Sequence, residues 1–175
     1  MYIGPCEVKG VRYITIGMNT EVLFRPTVVL FLSLLAITLS GAPAHAEFLG
    51  KFEAWEAHAR NDGGAKVCYA ASAPTKSEGK YTRRGDVFLL VSHRPADKMS
   101  GFVSLEAGYI YEKKGKITAK IGGASHAMFA DGGLAFAFED GPLVKSMIRG
   151  QNLTVQGKSG RGTLTVDTFS LSGFT

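Results

Sequence analysis

The sequence predicts an all-β domain, a β-sandwich with one short helix, and three observations carry that prediction. Short apolar segments of strand length recur along residues 47–175. Clusters of Gly, Asn and Asp separate them, and the 18 glycines of this stretch sit mostly between the apolar segments rather than inside them. Only one stretch, from Asp140 to Gly150, has the end signals and apolar spacing of a helix.

Nine strands are expected: Glu53–Ala59 around Trp55, Lys66–Ser72, Val87–His93, Phe102–Tyr109, Lys116–Ile121, His126–Ala130, Leu134–Glu139, Asn152–Gln156 and Thr163–Leu171. Ile117, Ala119 and Ile121 alternate with Thr118 and Lys120, and Leu153 and Val155 alternate with polar neighbours, so both strands should have one wet face. Val87–Val91 is apolar throughout, as suits a central strand covered on both sides. In the last segment Leu164 and Val166 share one parity and Phe169 and Leu171 the other. A bulge near Asp167–Thr168, or cover on the second face, would reconcile them. In the helix, Asp140–Gly141 can cap, Pro142 suits the first turn, Leu143, Val144, Met147 and Ile148 form a stripe, Lys145 and Arg149 face water, and Gly150 stops it. Residues 74–85 are polar and read as a mobile surface loop.

The first quarter of the chain differs. Val28–Leu39 is an apolar run preceded by Arg25 and followed by Ser40-Gly41-Ala42-Pro43-Ala44-His45-Ala46, the order of a cleavable signal peptide with its A-x-A site. Twelve residues at about 1.5 Å each reach roughly 18 Å, short of a ~30 Å hydrocarbon core, which argues against a membrane anchor. No Cys closes the run as a lipoprotein signal requires. Residues 1–46 are therefore expected to be the signal and 47–175 one mature domain without a transmembrane anchor, periplasmic, secreted or at the cell surface. Met18 opens an ordinary signal start, and the hypothesis that translation begins there would be sunk by ribosome profiling that shows initiation at Met1.

Residues 47–175 carry 17 Lys and Arg against 13 Asp and Glu, a mild, scattered excess that does not point to nucleic acid. Their one cysteine, Cys68, cannot close a disulfide within the mature domain and reads as a buried small hydrophobe. His58, His93 and His126 stand alone in their segments, with no metal-ligand spacing. No G-x-S-x-G elbow occurs, which excludes one hydrolase architecture only. Gly157–Thr163 has the wrong spacing for a phosphate loop and reads as a hairpin turn. Arg84-Gly85-Asp86 spells an integrin-ligand tripeptide and Asn152-Leu153-Thr154 a glycosylation acceptor, both short enough to arise by chance. No catalytic, cofactor or metal residue is assigned. The candidate binding residues are Lys76, Lys80, Arg83 and Arg84, expected on an exposed basic loop able to meet an anionic envelope or host-surface partner.

Trp55, Val67-Cys68-Tyr69-Ala70, Ser72-x-Pro74, Arg84-Gly85-Asp86-Val87-Phe88 and Val91-Ser92-His93-Arg94-Pro95 form an ordered set. Gly108-Tyr109, Leu143-Val144-Lys145-Ser146-Met147-x-x-Gly150 and Ser159-x-Arg161-Gly162-Thr163-x-Thr165-x-Asp167-Thr168-Phe169-Ser170-Leu171-x-Gly173-Phe174 continue it. This pattern resembles the invasion-associated locus B family of exported Gram-negative bacterial proteins. The resemblance implies an immunoglobulin-like β-sandwich, export, an association with host-cell entry and virulence, and no catalytic residues. The chain departs from the family in ending directly after Gly173-Phe174-Thr175 and in lacking a second mature cysteine. The functional expectation is a non-enzymatic interaction protein of the envelope or cell surface. The alternatives are an envelope structural or stress protein without host contact, and a small periplasmic hydrolase.

Overall fold

The computed structural model describes residues 46–175, so the expected signal segment and the Met18 start lie outside the described residues. The strands are β1 (Glu47–Phe52), β2 (Trp55–Asp62), β3 (Ala65–Ser72), β4 (Lys76–Gly79), β5 (Phe88–Arg94), β6 (Met99–Glu106), β7 (Ile117–Ile121), β8 (Ala124–Asp131), β9 (Leu134–Ala137), β10 (Asn152–Lys158) and β11 (Leu164–Ser170). One helix, α1 (Asp140–Arg149), lies between β9 and β10. All nine expected strands and the helix are present, within a few residues at their ends.

Every pairing is antiparallel, in one sheet ordered β1-β2-β3-β5-β6-β9-β8-β7-β10-β11-β4. This sheet cannot be flat. β3 and β4 stand eight places apart in that order, about 38 Å at ~4.8 Å per strand. Only residues 73–75 join them, a span of about 14 Å for extended chain. The sheet therefore folds over so that its two ends meet, and the layers of the sandwich are halves of one hydrogen-bonded sheet. Two contacts mark the closure: Trp55 Nε1 donates to Ser170 O at 3.0 Å and Ala54 N to Ser172 O at 3.3 Å.

The enclosed core draws on both halves, with Trp55, Leu89, Val103, Leu105, Ile117, Leu153 and Phe169 each nearly devoid of solvent contact. Leu143 and Met147 add the buried face of α1. The N-cap is Glu139, without a side-chain cap bond, rather than Asp140 or Gly141; the Asp140 carboxylate instead accepts the Val103 N–H of β6 at 2.8 Å and ties the helix start to the sheet. Lys145 and Arg149 face water as expected, but so does Ile148, at the edge of the apolar stripe.

Three strand expectations need correction. β5 is covered on one face only: Leu89 and Val91 are buried, whereas Phe88 is 39 % exposed. β4 occupies the first part of the expected mobile loop, because β11 offers it a ladder from Thr165↔Gly79 to Thr168↔Lys76. β11 pairs with β10 in unbroken register from Leu164 to Ser170, without a bulge. Its buried parity is Thr165, Asp167 and Phe169, so Leu164 points outward and a carboxylate points in.

Candidate functional site

The inward carboxylate of Asp167 sets the chemistry of one end of the sandwich. Its oxygens accept two 2.7 Å bonds from the two terminal nitrogens of Arg84, and Arg84 Nε donates to Ala107 O at 2.7 Å. The two side chains are 5 % and 2 % exposed. Burial alone works against the Arg84 charge, but the hydrogen bonds and charge of Asp167 outweigh it and hold the guanidinium pKa above its ordinary value. The guanidinium carbon lies 4.9 Å from the ring centre of Tyr109 and 5.5 Å from that of Tyr81. Tyr109 shares a 2.6 Å hydrogen bond with Thr165 and stands edge-on to Tyr111, 5.0 Å away. Burial raises the pKa of both phenols, so they are neutral hydrogen-bonding groups.

Two glycines let the chain make this contact. Gly85 N donates to Gly108 O at 2.9 Å, and a Cβ on Gly108, whose φ is +68°, would run into the Gly85 carbonyl. Arg84 is thereby drawn beneath the surface. The Arg84-Gly85-Asp86 tripeptide is not displayed as a recognition loop, and the expected exposed position of Arg84 is corrected on the same ground.

Above this network opens a cleft of about 810 Å³. Lys80 and Arg83, from the segment between β4 and β5, line it together with Arg161 from the β10–β11 turn. All three are exposed and none has an ion-pair partner among the described residues. No Asp or Glu lines the cleft; Asp167 lies beneath Arg84, which it neutralises. The four expected binding residues thus divide. Lys80 and Arg83 reach the cleft wall, Arg84 forms part of its buried floor, and Lys76 lies on exposed β4, bridged to Glu78 at 2.8 Å and outside the cleft. Arg161 is the wall cation missing from the expected set, although its Gly-rich turn is readable as a hairpin.

The histidines occupy three unrelated settings. His58 stacks on Tyr69, with ring centres 5.1 Å apart. His93 is buried; its Nδ1 accepts the Gly101 N–H and lies 2.9 Å from Ser100 Oγ, and burial lowers its pKa. His126 Nε2 lies 3.0 Å from Ser146 Oγ, a second Ser–His contact beside that of His93 with Ser100. Ser146 Oγ also lies 3.1 Å from Pro142 O, the carbonyl one turn earlier in α1. A hydroxyl has one proton; spent on that carbonyl, it leaves Nε2 as the donor, the reverse of what a general base needs. No carboxylate among the described residues hydrogen-bonds the His126 ring, so the third member of a triad is missing.

No group of three or more His, Cys, Asp or Glu among the described residues could hold a metal ion. Cys68 is buried as expected, at 2 % exposure. No described helix is long and apolar enough to cross a membrane.

The sequence model of the Invasion associated locus B (IalB) protein family matches residues 55–175, from the Trp55 that closes the sandwich through the whole of the cleft. The chain belongs to the IalB family. No curated protein and no solved structure matches it. The matched region contains Arg84, Asp167, Tyr109 and all three wall cations, so the cleft lies wholly inside the part of the chain that defines its IalB membership.

Proposed function

We propose that this IalB protein is an exported, non-enzymatic binding protein that acts in the bacterial envelope or at the cell surface, and that its basic cleft is the binding site. One observation carries the reading: Lys80, Arg83 and Arg161 line one concavity that no carboxylate shares. Like charges gathered without counter-charges repel one another, and an anionic partner relieves that repulsion. The His126–Ser146 pair supports a non-enzymatic role, since its hydrogen-bond direction and missing acid suit a helix-to-strand tie. The family's description is what supports including host-cell association in the same proposal.

Two variants test where binding resides. Lys80→Ala/Arg83→Ala/Arg161→Ala should lose most of its binding to envelope vesicles, while His58→Gln/His93→Gln/His126→Gln, kept folded, should retain it. Retention by the first variant and loss by the second would move the binding site from the cleft to the histidines.

A further inference from the structure

The charge on the cleft is distributed in a way that selects among anions. Its floor is Arg84, Tyr109 and Thr165, and Asp167 cancels the one cation there. Its unpaired positive charge stands on exposed side chains from two separate segments, Lys80 and Arg83 on one and Arg161 on the other. A single small anion is best held by donors that converge on a point, as Arg84 converges on Asp167. Charged walls over a neutral polar floor instead match a ligand with a neutral hydroxylated body and negative groups at its periphery.

We infer that the cleft binds an acidic saccharide, a sugar chain bearing carboxylate, phosphate or sulfate groups at intervals. This deepens the proposed binding function and rests on it. Sugar hydroxyls both donate and accept hydrogen bonds, and the hydroxyls of Thr82 and Thr163 line the cleft without a hydrogen-bond partner among the described residues. A flat bilayer surface would touch only the rim of a concavity. Single-stranded nucleic acid needs aromatic platforms, and the two tyrosines of the cleft both pack against the Arg84 guanidinium.

The test uses the full folded protein in calorimetric titrations at physiological salt. The probes are an oligogalacturonate, a sulfated dextran oligosaccharide, neutral dextran, an oligothymidylate of matched charge, and vesicles of one part phosphatidylglycerol to two parts phosphatidylcholine. At least one acidic saccharide should bind, neutral dextran should not, and the oligothymidylate and vesicles should bind more weakly. Lys80→Ala/Arg83→Ala/Arg161→Ala should weaken saccharide binding at least about tenfold, the scale of losing charge-assisted hydrogen bonds. Lys113→Ala/Lys114→Ala, on a turn outside the cleft, should leave it unchanged. Comparable or tighter binding of the oligothymidylate or vesicles, equal loss in both variants, or no saccharide binding would each overturn the inference. If saccharides fail while binding to envelope vesicles still depends on the wall cations, the ligand class alone is wrong; if that dependence also fails, so does the binding function.

Discussion

Arg84 and Asp167, 83 residues apart in the chain, are joined by two parallel 2.7 Å bonds with both side chains almost wholly out of water. The pair links the segment after β4 to β11 and fixes the floor on which the wall cations stand. A buried ion pair is costly to break and often replaceable as a unit, because removal of one partner strands the other charge. Asp167→Ala or Arg84→Ala should each destabilise by about 3–5 kcal/mol in urea unfolding, whereas Arg84→Met/Asp167→Leu should regain much of that loss. A double variant as unstable as the sum of the two single ones would show that the pair is not the unit that matters.

The glycines of the same end should respond unequally. Gly108 adopts a positive φ and its Cβ direction is blocked by the backbone of Gly85 and Asp86, so Gly108→Ala should prevent the Arg84 segment from docking. Gly162 also has a positive φ, +85°, but open space around it, with Lys158 3.8 Å from an added Cβ. Gly162→Ala should therefore cost about 1 kcal/mol, the penalty for the backbone conformation alone, and Arg161→Ala should cost little. Thermal melts of the three variants check the order; a Gly162 loss equal to that of Gly108 would contradict it.

Much of this architecture is legible in the residues. Alternation placed β7 and β10 with the correct faces inward, and the Asp140–Gly150 signals located α1, because apolar periodicity reports directly which side meets the core. β11 escaped the same logic. Its buried face carries Thr165 and Asp167, and a carboxylate reads as a solvent-facing residue until its partner is known. That partner, Arg84, lies in a run of lysines and arginines that resembles any solvated loop, and only the tertiary fold separates the one buried cation from its exposed neighbours. β4 was equally hidden, since Lys76–Gly79 has no apolar residue and owes its strand conformation to the ladder with β11. Arg161 joins Lys80 and Arg83 only because β10–β11 and the β4–β5 segment meet at one end, a juxtaposition no local pattern encodes.

His93 gives the fold a pH dependence whose sign is fixed. Burial lowers its pKa in the folded state below the ordinary 6.5, so the unfolded chain binds the proton more readily. The neutral ring's contribution is fully present above about pH 6.5 and is lost as pH falls from there through the folded-state value. Chemical denaturation between pH 7.5 and pH 5 should show, around these rough bounds, a decline that His93→Gln flattens. Equal pH slopes for the two proteins would remove His93 as the cause.

Export is proposed from the Val28–Leu39 run and the Ala44-His45-Ala46 site. N-terminal sequencing of the protein from the periplasmic or culture fraction should read Glu47-Phe48-Leu49. An uncut N-terminus in the membrane pellet would indicate an anchor instead.

The salt dependence of binding to envelope vesicles tests the basic cleft most directly. Attraction between exposed charges is screened over about 8 Å at physiological ionic strength, so binding through Lys80, Arg83 and Arg161 must weaken as salt rises. The native protein should lose affinity steadily across a salt series. Lys80→Ala/Arg83→Ala/Arg161→Ala should bind weakly throughout with a much flatter slope, while Lys76→Ala, outside the cleft, should follow the native curve. Native-like affinity and an unchanged salt slope in the triple variant would contradict the assignment of this cleft as the binding site.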